Sequence, residues 1–125
     1  MWLKQPSGGI KGASPACAGV THSAGGYVNA SGDADQRDVP MFLPYGICSV
    51  PCEGEKALLL PLDGSFTYVG TLCTPAMAMG LLQGELRLTS HGGAQITLKN
   101  NGEVIINGLV IKPDGSFAVS GVNAL

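Results

Sequence analysis

From Glu85 onward the chain passes through five short runs in which every second position is a large apolar residue, and they are separated by turns that call for glycine or asparagine. The runs are Glu85-Leu-Arg-Leu-Thr89, Gln95-Ile-Thr-Leu-Lys99, Glu103-Val-Ile-Ile-Asn107, Leu109-Val-Ile-Lys112 and Ser116-Phe-Ala-Val-Ser120. Between them lie Ser90-His-Gly-Gly93, Asn100-Asn-Gly102, Asn107-Gly108 and Pro113-Asp-Gly115, which supply the positive φ angles of tight turns. A period of two puts Leu86 with Leu88, Ile96 with Leu98, Val104 with Ile106, Leu109 with Ile111 and Phe117 with Val119 on one face. Five short antiparallel strands with an apolar inner row and a polar outer row are therefore expected.

Such a segment cannot bury its own face. From Gly84 to the last residue it has about forty residues, close to the size at which lone domains need disulfides, metals or oligomerisation. It has no cysteine, and its one histidine, His91, cannot build a metal cage. Strands of five residues reach only about 17 Å, too short for one chain to wrap a thick core. Copies set around an axis would meet inner row to inner row and find neighbours for their free strand edges. Arg87, Lys99 and Lys112 balance Glu85, Glu103 and Asp114, so copies would not repel. The competing arrangement adds these strands to the preceding residues as one monomeric sandwich.

Composition narrows the class further. Only 13% of the 125 residues are charged, about half the usual share, so the surface is bare enough to suggest a partner chain. Nineteen glycines and eight prolines punctuate the sequence too often for a helical bundle or coiled coil. A formal charge of -2, with no basic cluster, argues against nucleic-acid binding. No run approaches the roughly 20 apolar residues of a membrane span, and Met1-Trp2-Leu3-Lys4-Gln5-Pro6 does not read as a signal peptide. Cys17, Cys48, Cys52 and Cys73 then read as small buried reduced thiols ahead of a disulfide or a metal site, since Cys48 and Cys52 have three residues between them and no CxxC companion.

The first two thirds read as a compact β module. Ala16 to His22 and Gly26 to Ala30 are candidate strands around Ser23-Ala-Gly25, and Asp33 to Asp38 reads as a solvated loop. Met41 to Val50, Ala57 to Leu62 and Phe66 to Leu72 are apolar runs of strand character, parted by Pro51-Cys-Glu-Gly54 and Asp63-Gly64. Pro44 and Pro61 belong at edges, bulges or strand ends. Thr74-Pro75 is the exit, and Ala76 to Leu82 is one helical turn or a linker.

The stretch Phe42-Leu-Pro-Tyr-Gly-Ile-Cys-Ser-Val-Pro-Cys-Glu-Gly54 resembles the Mu-type central spike, or baseplate assembly protein V, family of contractile phage tails. Tyr45, Gly46, Ser49, Pro51 and Gly54 match the family pattern directly, and the resemblance extends over roughly Val39 to Phe117. It implies an all-β chain in three parts: an oligonucleotide/oligosaccharide-binding-like (OB-like) β-barrel over residues 1–75, a linker over 76–83, and a trimeric β-helix or β-prism shaft over 84–125. Ile96, Leu98, Val104, Ile106, Leu109, Ile111, Phe117 and Val119 would form the trimer core. The resemblance further implies a structural, non-enzymatic role: assembly in the bacterial cytoplasm, docking on a tail hub or baseplate protein, then a place at the tip of the tail and transient contact with the target envelope. The family's apical His-x-His pair has no counterpart, since His22 and His91 stand far apart, so no metal is implied. The alternative is an oligomeric OB-like module that binds a glycan or protein.

Residues that could carry catalysis are sparse. Ser49 and Ser90 sit beside Cys48 and His91, but no GxSxG elbow is present and adjacent strand residues point to opposite faces. Glu53 and Glu55 fall in a Pro/Gly turn where solvation suffices, and Asp33, Asp35 and Asp38 lack the glycine and distal Glu of a calcium loop. Ser7-Gly-Gly9 follows no strand, so no phosphate cradle or cofactor is expected. Aromatics at 6% argue against a base-stacking platform. Asp63-Gly-Ser-Phe66 returns as Asp114-Gly-Ser-Phe117, an echo of turn chemistry.

Overall fold

A computed structural model describes residues 14–119, which are all-β apart from one helical turn. Two compact units divide between Cys73 and Thr74, and each contains one five-stranded sheet. The expected readings of Met1 to Gln5 and of Ser7-Gly-Gly9, and the end of the last run at Ser120, lie outside the described residues.

In the first unit β1 (Ala16–Ala24), β2 (Tyr27–Ser31), β3 (Asp35–Pro40), β4 (Lys56–Leu62) and β5 (Ser65–Thr71) lie in the order β3-β2-β1-β4-β5, every pair antiparallel. Met41, just past β3, makes a parallel bridge to Tyr68 of β5, so the two edges of the sheet meet. Two tight hairpins set the register. Gly25 and Gly26 join β1 to β2 with φ of 62° and 86°, and Asp63 and Gly64 join β4 to β5 with 50° and 87°. The core holds Ala18, Val20, Val28, Ala30, Val39, Ala57, Leu59 and Tyr68, with Met41, Leu43 and Phe66 packed against it. Small residues dominate, which suits the tight curvature that brings one edge to the other.

Three expectations from the sequence need correction. The charged stretch Asp33 to Asp38 is not simply a loop, because Asp35 onward forms β3. Its charged side chains are tolerated on an edge-proximal strand that turns only Val39 fully inward. Conversely, Met41 to Val50 is not a strand: only Met41 bridges, and residues 42–55 form a loop. Pro44 and Pro51 have no N–H for a ladder, and the Ile47 N–H instead donates to the Pro44 carbonyl at 3.1 Å across a turn with Gly46 at φ +85°. The cysteines also differ from the expectation. Cys17, Cys48 and Cys73 are exposed and Cys52 is half-buried; Cys17 lies opposite the exposed Leu58 on the outward side of β1.

The second unit begins with α1 (Pro75–Ala78), one turn capped by Thr74, whose hydroxyl accepts the Met77 N–H. Its sheet is a meander of β6 (Leu86–Thr89), β7 (Gln95–Leu98), β8 (Val104–Ile106), β9 (Leu109–Ile111) and β10 (Phe117–Val119), each antiparallel to the next. Three of its four turns share one backbone pattern. Ser90, Lys99 and Lys112 donate their N–H to the carbonyls of Ala94, Glu103 and Ser116, and accept from Gly93, Gly102 and Gly115. Those glycines have φ of 95°, 92° and 90°, as three-residue hairpin loops ending in a left-handed residue require. The fourth turn, Asn107-Gly108, is the two-residue form with φ of 48° and 90°.

Candidate assembly surface

Residues directly opposite one another in an antiparallel pair share a face, and the registers of the second sheet align its apolar residues into two unbroken rows. Leu86, Leu98, Val104, Ile111 and Phe117 form one; Leu88, Ile96, Ile106, Leu109 and Val119 form the other. The ten side chains cover an area two residues wide along the strands and five strands tall, roughly 19 Å across the strands at about 4.8 Å spacing. Within the second unit, no described residue packs over this face. Leu86, Leu88, Ile96, Leu98, Ile106, Phe117 and Val119 are all exposed, Phe117 at 70%, while Val104, Leu109 and Ile111 are half-buried. Contiguous exposed apolar patches of this extent are a common feature of interaction surfaces.

The opposite face shows what a solvent side of the same sheet looks like. Glu85, Lys99, Glu103 and Lys112 follow one another along its margin with alternating charge, each opposite the next in the extended register. Lys99 Nζ lies 3.2 Å from Glu85 Oε1, and Lys112 Nζ lies 4.0 Å from Glu103 Oε2. The middle row is Arg87, Thr97, Ile105, Val110 and Ala118, so the outer row is less polar than the alternation alone implied. Arg87 covers part of it. Its Nε donates to Thr97 Oγ1 at 3.4 Å, and its Nη1 donates to the carbonyls of Met79 at 2.8 Å and Met77 at 3.4 Å, which leaves Thr97 buried.

Glu85 organises the segment leading into the sheet. Its Oε1 accepts the Leu82 N–H at 3.0 Å and the Lys99 ammonium, and its Oε2 accepts the Asn100 N–H at 3.0 Å. These backbone donors, Leu82 first and then Asn100, hold its carboxyl below the ordinary carboxylate range. Asn100 Nδ2 donates to the Gln83 carbonyl, so the same turn is tied down twice. No local pattern announces this anchoring, because it depends on a loop fifteen residues away.

The motif residues of the first unit occupy the loop between β3 and β4. Tyr45 and Gly46 make its tight turn, with Tyr45 wholly exposed. Ser49 follows on an exposed stretch. The Pro51 carbonyl accepts Ser23 Oγ at 2.7 Å, and Gly54, at φ +93°, donates its N–H to the Val20 carbonyl at 2.8 Å. The loop is thus fastened at its far end to β1 while Phe42, Tyr45, Ile47 and Val50 face outward.

Among the described residues no group of three or more His, Cys, Asp or Glu could hold a metal ion, and no helix is long and apolar enough to cross a membrane. Ser49, Ser90, Glu53 and Glu55 are not drawn together by any hydrogen bond with one another. The sequence matches no protein-family model and no characterised protein.

Proposed function

We propose that the chain is a structural protein that works as a homotrimer, in which the uncovered face of the second sheet forms the core of a shaft. The observation that supports this reading is the pair of five-residue apolar rows left open on a sheet whose other face carries charge pairs along one margin.

The shape of the face favours one arrangement of copies. If three sheets joined edge to edge with their strands along the axis, they would make a barrel of fifteen strands. Barrels of about 16 strands enclose a water-filled lumen, while about eight can be filled by side chains. Ten apolar residues per chain would then line water. If instead the strands lie across the axis, each chain gives one wall of a three-sided prism, and every strand sends two side chains into a dry centre.

The first unit fits the other half of the reading. A ring in which β1 pairs with β2 and β4, and the chain after β3 meets β5 in parallel, has the connectivity of a five-stranded OB-like barrel. Its loop of Phe42, Tyr45, Ile47 and Val50 offers the aromatic and aliphatic anchors that protein sockets take. Together with the resemblance at Tyr45, Gly46, Ser49, Pro51 and Gly54, this points to a central spike of a contractile tail or related injection particle, docked on a hub by its barrel and driven into an envelope by its shaft. Light scattering at micromolar concentration tests the core of the proposal: a trimer mass is expected, and a folded monomer would overturn it.

A further inference from the structure

The meander gives the second sheet two unlike margins. On one side are Ser90–Ala94 and Asn107-Gly108, without a charged residue; on the other are Lys99–Glu103 and Lys112–Ser116, which carry Lys99, Glu103, Lys112 and Asp114. Turns on the first margin join β6 to β7 and β8 to β9. Turns on the second join β7 to β8 and β9 to β10. The first margin therefore has a gap at the level of β7 and β8, and a hollow lies there, lined by Gly92, Gly93, Ala94, Gln95, Asn107 and Gly108.

We propose that this hollow receives the Lys99–Glu103 turn of a second copy of the chain. The inference rests on the prism reading and adds the contact that closes it. A cyclic trimer has heterologous contacts, so each corner sets the first margin of one copy against the second margin of the next. Rotation about the axis does not change height. The turn between β7 and β8 thus arrives at the gap beside β7 and β8, and the turns of the two margins interdigitate.

The chemistry of the two sides agrees. The hollow has little side-chain bulk, since three of its six lining residues are glycine and a fourth is alanine. Its polar groups are backbone amides and the carboxamides of Gln95 and Asn107, and the Asn107 Oδ1 already accepts the Gln95 N–H at 2.8 Å. The incoming tip is Asn100-Asn101-Gly102, held in shape by the Glu103 N–H on Asn101 Oδ1 and by Asn100 Nδ2 on the Gln83 carbonyl. Amide meets amide, and no charge has to be stripped of water. The charges of Lys99 and Glu103 sit at the base of the turn, paired with Glu85 and Lys112.

Disulfide trapping tests the contact on the full chain. Gly92→Cys is sterically permitted, because a Cβ there would approach nothing closer than 4.0 Å. Combined with Asn101→Cys and mild oxidation, it is expected to yield covalently closed trimers on a non-reducing gel. The single variants, which control for Cys17, Cys48, Cys52 and Cys73, should not. The two positions cannot join within one chain: a four-residue strand of about 13 Å separates the margins, and a disulfide needs Cα atoms within about 7 Å. A second variant, Ala94→Arg, crowds the hollow and should move trimer dissociation to at least about tenfold higher protein concentration. If the native chain is a trimer but the double variant stays uncrosslinked and Ala94→Arg assembles normally, the corner is wrong and the prism survives. If the native chain is a monomer, both fall.

Discussion

Ile96 and Ile106 stand directly opposite each other in the β7–β8 ladder, both on the open face and each only about two-fifths accessible, at 39% and 38%. Five strands place them in the middle of the face, where their neighbours on either side, Leu88 and Leu109, are apolar too. In a prism the layer of Ile106, on the third of the five strands, is the one furthest from either end. Ile106→Asp would bring three carboxylates together there, with no partner and no water, a burial that costs several kcal/mol per charge. The expected outcome is loss of the trimer, measured by light scattering. Ile105→Asp, on the opposite face, should leave the trimer intact. Equal yields of trimer from both variants would remove the open face from the core.

Much of this was legible because alternation and turn chemistry agree over the last third of the chain. Leu86, Ile96, Val104, Leu109 and Phe117 each begin a step with a large apolar residue two positions on, although only the first two steps have a polar residue between, and the glycines between the runs leave one register open. All five runs became strands within a residue or so of their expected bounds. Legibility failed where a residue's neighbours were distant in sequence. The β3 strand carries Asp35, Arg37 and Asp38, a composition that reads as loop; what holds it is the ladder to β2 and the Asp38 N–H on Asn29 Oδ1 at 2.8 Å. The Glu85 anchor and the Arg87 contacts with Met77 and Met79 depend on chain returns that no local pattern announces.

Leu59 is the first sheet's most informative position for stability. It is 1% exposed, opposite Ala16 on one side and Tyr68 on the other, at a place where the core has few large side chains. Small neighbours cannot collapse far into a vacancy. Leu59→Ala should therefore cost about 2–5 kcal/mol in the urea unfolding of the first unit. A loss below about 1 kcal/mol would mean that the ring relaxes more than its packing suggests.

Turn glycines are not equivalent, and two of them separate strain from collision. Gly93 and Gly102 both sit at left-handed φ, 95° and 92°, where alanine costs about 1–2 kcal/mol through its backbone alone. A Cβ at Gly93 would meet nothing within 4 Å, but one at Gly102 would lie 2.8 Å from Pro113 Cγ. Gly102→Ala should therefore destabilise the second unit clearly more than Gly93→Ala, read as thermal midpoints of the two variants side by side. Equal losses would show that Pro113 moves aside at no cost.

Acid should loosen the second unit through Glu85. Its carboxyl is held below the ordinary range in the folded chain by the Leu82 and Asn100 N–H groups and by Lys99. A depressed folded pKa means the unfolded chain binds the proton more readily, so the contribution is present above the unfolded value of about 4.3 and fades as pH falls through the folded value. Asp114 acts in the same direction, because the Ser116 hydroxyl and N–H hold its carboxylate at 2.6 and 2.8 Å. The thermal midpoint of the native protein should thus be flat from neutral pH down to about 5 and drop below about 4. Glu85→Gln removes the titrating group while keeping an acceptor for one backbone donor. It should lower the midpoint at neutral pH and flatten the acid limb. An acid limb unchanged in Glu85→Gln would assign the sensitivity to Asp114 and deny Glu85 its part in fastening the segment that leads into the sheet.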